Sequence, residues 1–153
     1  MPSNKVTFKR VEAVIGLDDA SNLLFATGGE RLKSDAGSGS DFGFLQGGTI
    51  LKALSIELML KMILEDSSGT FERTHVVEDL VNALDASLRT KLEDAYTTRT
   101  QSESWPDFNT LLGQISGVFV EWRYATMDAK SLNLQPQPWD YLAKLIRDEL
   151  PAA

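Results

Sequence analysis

The sequence ILKALSIELMLKMIL spans Ile50 to Leu64 and decides the fold. A helix of this segment is apolar on nearly every side, which is typical of the buried centre of an all-α domain. The segment also carries Glu57 and Lys61 one helical turn apart. Because burying an unpaired charge is unfavourable, these two side chains must find partners. The stretch therefore predicts both the centre of the fold and the place of its unusual polar chemistry.

The composition is that of an ordinary soluble globular protein. The chain has 153 residues, of which 42% are hydrophobic and 24% charged, and this length predicts one domain over residues 1–153. The absence of cysteine excludes disulfides, thiolate metal sites and cysteine nucleophiles, and it favours a cytoplasmic protein. We expect no cofactor and no metal site.

Charge and hydropathy limit the classes of partner. The net charge of −7 argues against general coating of nucleic acid, although a local basic groove remains compatible with it. The N-terminal sequence lacks the continuous apolar region of a secretory signal. The Ile50–Leu64 run is short and contains charged residues, so we expect no membrane segment.

The remaining pattern predicts an all-α, up-and-down helical bundle of five or six helices. Residues 1–16 are expected to form an N-terminal arm, since Lys5–Val11 alternates weakly, and a helical pattern starts at Asp18. Residues 34–43, SDAGSGSDFG, are expected to form a flexible loop because glycine and serine resist helix formation.

The sequence from Thr74 onward contains several signals for the start of a helix. Thr74 is a predicted N-cap, and Ser104, followed by Trp105-Pro106-Asp107, is a second one. The helix after Asp107 contains Gly113 and Gly117, which suggest that another backbone comes close, either within the chain or from a dimer partner. Pro138 suits the first turn of a last helix.

His75 is the single histidine, which excludes metal sites built from several histidines. It could serve as a general base if a nearby acid, Glu78 or Asp79, oriented it, or it could bond locally at a helix start. Glu57 and Lys61 have the i,i+4 spacing of an ion pair. That pair is either structural or serves to orient an arginine or accept a proton.

Arg123, flanked by Trp122 and Tyr124, is the cation best suited to reach such a carboxylate. Its planar guanidinium can form a bidentate pair and stack on aromatic rings. The alternative for this trio is a packed helix end with an anchoring arginine.

The order of these motifs resembles the HEPN domain. The carriers of the resemblance are Glu57, Leu60 and Lys61 in an E-x-x-L-K segment, His75 in a T-H segment, and Arg123-Tyr124 in an R-Y segment. The resemblance covers most of the chain. It implies an all-α bundle of four or five helices that pairs as a homodimer, and in many members a metal-independent ribonuclease of toxin–antitoxin, CRISPR or abortive-infection systems.

The chain departs from the family at its catalytic motif. The resemblance implies an arginine followed after four to six residues by a histidine. Arg123 matches the arginine, but Asp128, Ala129 and Lys130 occupy the three positions open to the histidine. Metal-free RNA cleavage needs proton transfer by a group that titrates near neutrality, and neither Asp128 nor Lys130 is suited to it.

The sequence therefore predicts a non-catalytic or degenerate HEPN-like binding module. Its partners would be a second copy, RNA or a nucleotide, or a protein such as an antitoxin or a nucleotidyltransferase. The predicted ligand-binding residues are Arg123, Tyr124, Glu57, Lys61 and Trp122. The alternative is a metal-independent ribonuclease toxin with a rearranged active site formed by Arg123, His75 and Glu57.

Overall fold

The structure, a computed structural model, describes residues 8–34, 39–71, 73–121 and 135–151. These residues form helices and no strand, which confirms the prediction of an all-α bundle. The helices are α1 Phe8–Lys33, α2 Gly39–Ser68, α3 Val77–Ala83, α4 Ala86–Thr100, α5 Phe108–Glu121 and α6 Pro136–Arg147.

Helix α2 is the centre of the bundle, as the apolar run predicts. Its 30 residues span about 45 Å, and it packs against α1, α3, α5 and α6. Ala53, Ile56, Met59 and Leu60 are fully buried along it. The helix ends at Ser68, and the following Gly69 has a φ of +76°, in the left-handed region that glycine adopts without strain.

The expected N-terminal arm is wrong over residues 8–16, because these residues form the first turns of α1. Val11, Val14, Asp18 and Ser21 recur at helical spacing, and all four are buried. This buried stripe changes from apolar to polar halfway along, so hydrophobicity alone does not reveal it. Residues 1–7 lie outside the described residues.

The expected loop over residues 34–43 is wrong at its C-terminal end, because α2 begins at Gly39. Small residues instead let α1 and α2 pack closely. A Cβ added to Gly28 would lie 2.9 Å from Leu45 Cδ2, and one added to Gly48 would lie 3.1 Å from Phe25 Cδ1. The buried Ser21 hydroxyl donates to the Gly48 carbonyl oxygen at 2.8 Å.

Helix α3 begins later than predicted, and the N–H groups at its start donate to other acceptors than the predicted cap. Thr74 is not the N-cap, because the N-cap residue is Val76, which has no capping side chain. The Thr74 hydroxyl instead accepts from the Val76 N–H at 3.0 Å. The Val77 N–H donates to the hydroxyl of Ser116 on α5 at 3.0 Å, so a distant residue supplies the cap.

Helix α5 begins at Phe108, with Asp107 as its capping residue in place of the predicted Ser104. The Asp107 carboxylate accepts from the Thr110 N–H at 2.9 Å and from the Thr110 hydroxyl at 2.7 Å. Gly113 is exposed, and an added Cβ there would meet no described atom within 4 Å. The close backbone expected at Gly113 is therefore missing from the described part of the chain.

Helix α6 begins at Pro136, two residues before the predicted start at Pro138. It returns to pack against α1, α2 and α4. Its buried face is formed by Pro138, Trp139, Leu142, Ala143 and Ile146. No helix within the described ranges combines the length and the hydropathy that crossing a bilayer requires.

Candidate functional site

Glu57 lies in the middle of α2 and is only 2% exposed. One of its carboxylate oxygens, Oε1, accepts from Lys61 Nζ at 2.6 Å. The same oxygen lies 3.0 Å from Nδ1 of His75, which belongs to the segment that leads into α3. The structure thus brings together three of the predicted site residues from two separate segments.

Lys61 compensates the charge of Glu57 inside the bundle. Its side chain is 12% exposed, and its ammonium lies 5.6 Å from the centre of the Phe71 ring. A cation over an aromatic face is attracted by the ring quadrupole, so Phe71 gives Lys61 a second favourable contact. This confirms the ion pair predicted from the i,i+4 spacing.

His75 is the accessible member of the cluster, since its side chain is 80% exposed while that of Glu57 is 3% exposed. An ionised carboxylate can only accept, so the tautomer that forms a hydrogen bond with it has its proton on Nδ1. A buried carboxylate that holds one ring nitrogen of an exposed histidine fixes the tautomer and the orientation of the ring. This arrangement is chemically able to support proton transfer at the ring.

The second oxygen of Glu57, Oε2, is buried and has no hydrogen-bond partner among the described residues. A buried acceptor without a donor is unfavourable, so this oxygen is a place where a further donor would stabilise the fold. Trp122, Arg123 and Tyr124 lie outside the described residues, so their predicted place beside Glu57 stays a prediction.

The structure contains a second buried charge centre, around Lys52, that the sequence did not predict. Lys52 is one of the charged residues within the apolar run of α2. Lys52 is fully buried, and its Nζ donates to Asp18 Oδ1 at 2.5 Å and to Asn22 Oδ1 at 2.7 Å. Asp140 Oδ1 of α6 lies 2.9 Å from the same nitrogen as an ion pair without hydrogen-bond geometry. Arg147 adds a pair with Asp19 at 3.0 Å.

The Lys52 centre joins α1, α2 and α6, which makes its role structural. The sequence spacing indicates only part of this centre. Asp18 and Asn22 lie one turn apart on α1, but their spacing does not identify Lys52 as their partner. Within the described ranges, no group of three or more histidine or acidic side chains could hold a metal ion.

Comparisons of the chain with protein-family models, with curated proteins and with solved structures found no match. The resemblance to HEPN domains therefore depends on the sequence motifs alone. The geometry adds that two of those motifs, the one with Glu57 and Lys61 and the one with His75, are in contact.

Proposed function

We propose that the chain is a HEPN-like binding module of the cytoplasm that acts as a homodimer and contacts RNA or a nucleotide. A protein partner such as an antitoxin or a nucleotidyltransferase belongs to the same proposal. In this function Arg123 and Tyr124 hold the ligand, with Trp122 beside them, and Glu57 orients Arg123.

The observation that carries the proposal is Oε2 of Glu57, which has no hydrogen-bond partner among the described residues. This oxygen is buried, and its neighbour Oε1 already serves Lys61 and His75. A guanidinium that donates to Oε2 would satisfy a buried acceptor and would be held rigidly for an incoming phosphate. Arg123 is the cation that the motif order assigns to this position.

Binding of a fluorescein-labelled single-stranded RNA or of a labelled nucleotide, measured by anisotropy, tests the proposal. Arg123→Ala should weaken binding about tenfold or more, as expected for loss of a charge-assisted hydrogen bond. Arg89→Ala removes an exposed arginine from α4 and should leave the affinity unchanged. Equal affinities of the two variants would contradict the proposal.

The homodimer has a separate measurement. Light scattering at micromolar protein concentration should report a mass of two chains. A mass of one chain, about 16.9 kDa, would overturn the proposed homodimer and would leave the proposed ligand binding unaffected.

The contact between His75 and Glu57 favours a second candidate function, a metal-independent endoribonuclease. Here His75 takes the role of the histidine that is missing after Arg123. Its ring is exposed to solvent and is oriented by a buried carboxylate, as in histidines that act as general base or acid. Arg123 would stabilise the charge on the phosphate as the RNA 2′-hydroxyl attacks it.

RNA cleavage in the presence of a chelator separates the two functions. The ribonuclease requires cleavage by the purified wild type and its loss in both His75→Ala and Arg123→Ala. Val76→Ala changes the neighbouring exposed side chain and should keep the activity. Absence of cleavage by the wild type would exclude the ribonuclease and leave the binding module in place.

A further inference from the structure

An open groove of about 870 Å³ lies between the C-terminal end of α4 and the N-terminal half of α6. We call it the α4–α6 groove and define it by Arg99, Trp105, Gln137, Asp140, Tyr141 and Lys144, which all line it. None of these residues belongs to the Glu57 cluster. The groove is therefore a separate concave surface that combines aromatic, amide and charged side chains.

The aromatic wall of the groove is held in place by packing against the core. The rings of Trp105 and Tyr141 have centroids 5.8 Å apart and are inclined by 51°. Behind them lies the fully buried Tyr96, whose ring contacts both, at 6.2 Å and 6.4 Å. The Tyr96 hydroxyl donates to the Pro106 carbonyl oxygen at 3.0 Å and so ties down the loop that carries Trp105. A preorganised wall lowers the entropic cost of binding a planar ligand.

Most charges at the groove are already paired. Arg99 pairs with Glu103 at 3.2 Å, and its guanidinium carbon lies 5.7 Å from the Trp105 ring centre. Asp140 lies 2.9 Å from the buried Lys52. Lys144 is exposed and has no ion-pair partner among the described residues. Among the described residues of the groove, the charge left for a ligand is thus a single cation, which matches a single anionic group.

The anion has a defined place along α6. Gln137, Tyr141 and Lys144 follow one another at helical spacing, so they share one face of the helix. Lys144 lies roughly 4.5 Å along the axis beyond Tyr141, so the two side chains are neighbours on this face. The start of α6 is ill suited to bind the anion itself, because Pro136 and Pro138 have no N–H to donate.

We propose that the α4–α6 groove binds a small planar aromatic ligand with one anionic group. The ring lies against Trp105 and Tyr141, the anion pairs with Lys144, and the Gln137 amide meets polar atoms at the ring edge. A long nucleic acid does not fit this surface, because Lys144 is the one unpaired cation among the described residues that line the groove, and the protein carries a net charge of −7. A single cation does not hold a chain of phosphates. This proposal does not depend on the proposed function.

Titration calorimetry of the full chain tests the proposal with two sources of the same chemistry. Adenosine and uridine 5′-monophosphate supply an aromatic ring with a phosphate, and indole-3-acetate supplies a ring with a carboxylate. At least one of these probes should bind saturably, and the probe that binds identifies the source. Inorganic phosphate and a decaproline peptide serve as the ligands that lack the ring or the anion.

Lys144→Ala should weaken the binding about tenfold, as expected for the loss of a charge-assisted contact. Lys33→Ala is the matched control, since Lys33 is also an exposed lysine in the last turn of a helix, and it should have no effect. Tyr141→Leu keeps an apolar side chain against the core but removes the ring, and it should weaken binding about tenfold as well.

Three results would overturn the proposal. The first is the absence of binding by every aromatic anion at millimolar concentration. The second is binding that neither Lys144→Ala nor Tyr141→Leu weakens, which places the ligand elsewhere; loss of nucleotide binding in Arg123→Ala alone would assign it to the Glu57 cluster. The third is binding of decaproline in place of the anions, which would make the groove a peptide site.

Discussion

Lys52 Nζ lies 2.5 Å from Asp18 Oδ1, so a buried cation of α2 is neutralised by a buried carboxylate of α1. Asn22 and Asp140 complete the surroundings of the same nitrogen. A buried pair of this kind adds little net stability compared with apolar residues, but removing Asp18 leaves the buried Lys52 with only the partly exposed Asp140 as a counter-charge. The bundle therefore depends on Asp18 far more than on its neighbours along α1.

Asp18→Ala should lower the free energy of unfolding by about 3–5 kcal/mol, because Lys52 keeps its burial and loses its closest counter-charge. Asp19→Ala is the matched control. Asp19 pairs with Arg147, and both side chains are substantially exposed, so its loss should amount to less than about 1 kcal/mol. Urea unfolding of the two variants provides the measurement. Equal losses would contradict the assignment of Lys52 as the buried partner that matters.

Gly28 and Gly29 should respond in opposite directions to substitution by alanine. A Cβ on Gly29 meets no described atom within 4 Å, so Gly29→Ala should stabilise the protein by about 0.5–1 kcal/mol through helix propensity. A Cβ on Gly28 would press on Leu45 and Phe44, so Gly28→Ala should destabilise it by about 1 kcal/mol or more. Thermal unfolding of the pair checks the sign, and stabilisation by both changes would count against close packing of α1 on α2.

Asp107 makes the stability of the protein depend on pH in the acidic range. The Thr110 N–H, and then the Thr110 hydroxyl, hold the pKa of the Asp107 carboxyl below its ordinary 3.8. A folded-state pKa below the unfolded value contributes stability above about pH 4 that is lost as the pH falls through the folded-state value. Asp107→Asn keeps an acceptor but cannot titrate. The stability difference between the wild type and this variant should therefore shrink below about pH 4 in urea unfolding series. A difference that stays constant down to pH 2 would refute the linkage.

Tyr96 gives the opposite, alkaline dependence. Burial, and then the Asp107 carboxylate, raise the pKa of the Tyr96 phenol from 10.0 to about 12. A raised pKa means that the folded protein keeps its phenol proton longer than the unfolded chain, so stability falls as the pH rises above the unfolded value.

Phenolate absorbance should show a step near pH 12, where the pKa of Tyr96 lies. Tyr96→Phe should remove this late step, and Tyr141→Phe should leave it in place. A late step that survives Tyr96→Phe would show that another phenol is the buried one.

The sequence predicts the centre of the bundle well because the composition of α2 is almost entirely apolar over one long run. Its apolar run leaves no face for solvent, and Ile56, Met59 and Leu60 are fully buried as that pattern requires. The start of α1 is harder to predict, because its buried stripe passes from Val14 to Asp18 and Ser21. A polar residue that is buried against a partner looks like a surface residue until the partner is known.

In the candidate site, too, some contacts could be predicted from the sequence and others could not. The pair of Glu57 and Lys61 follows from i,i+4 spacing, which is local information. The contact of His75 with Glu57 joins residues 18 apart, and only the order of the motifs suggested that they belong together. The partners of Lys52 come from α1 and α6, so nothing local to Lys52 could have identified them. Tertiary packing decides such contacts.

The cap that Ser116 supplies to α3 sets an order of events in folding. Helix α3 has seven residues, which is too short for an isolated helix to persist in water. Its first N–H gains its protein acceptor only when α5 has docked, because Val77 donates to Ser116 across 39 residues of chain. We therefore expect α3 to form after α5 has docked and its amide protons to exchange with solvent when α5 detaches. The same is expected of the segment that carries His75, which leads directly into α3.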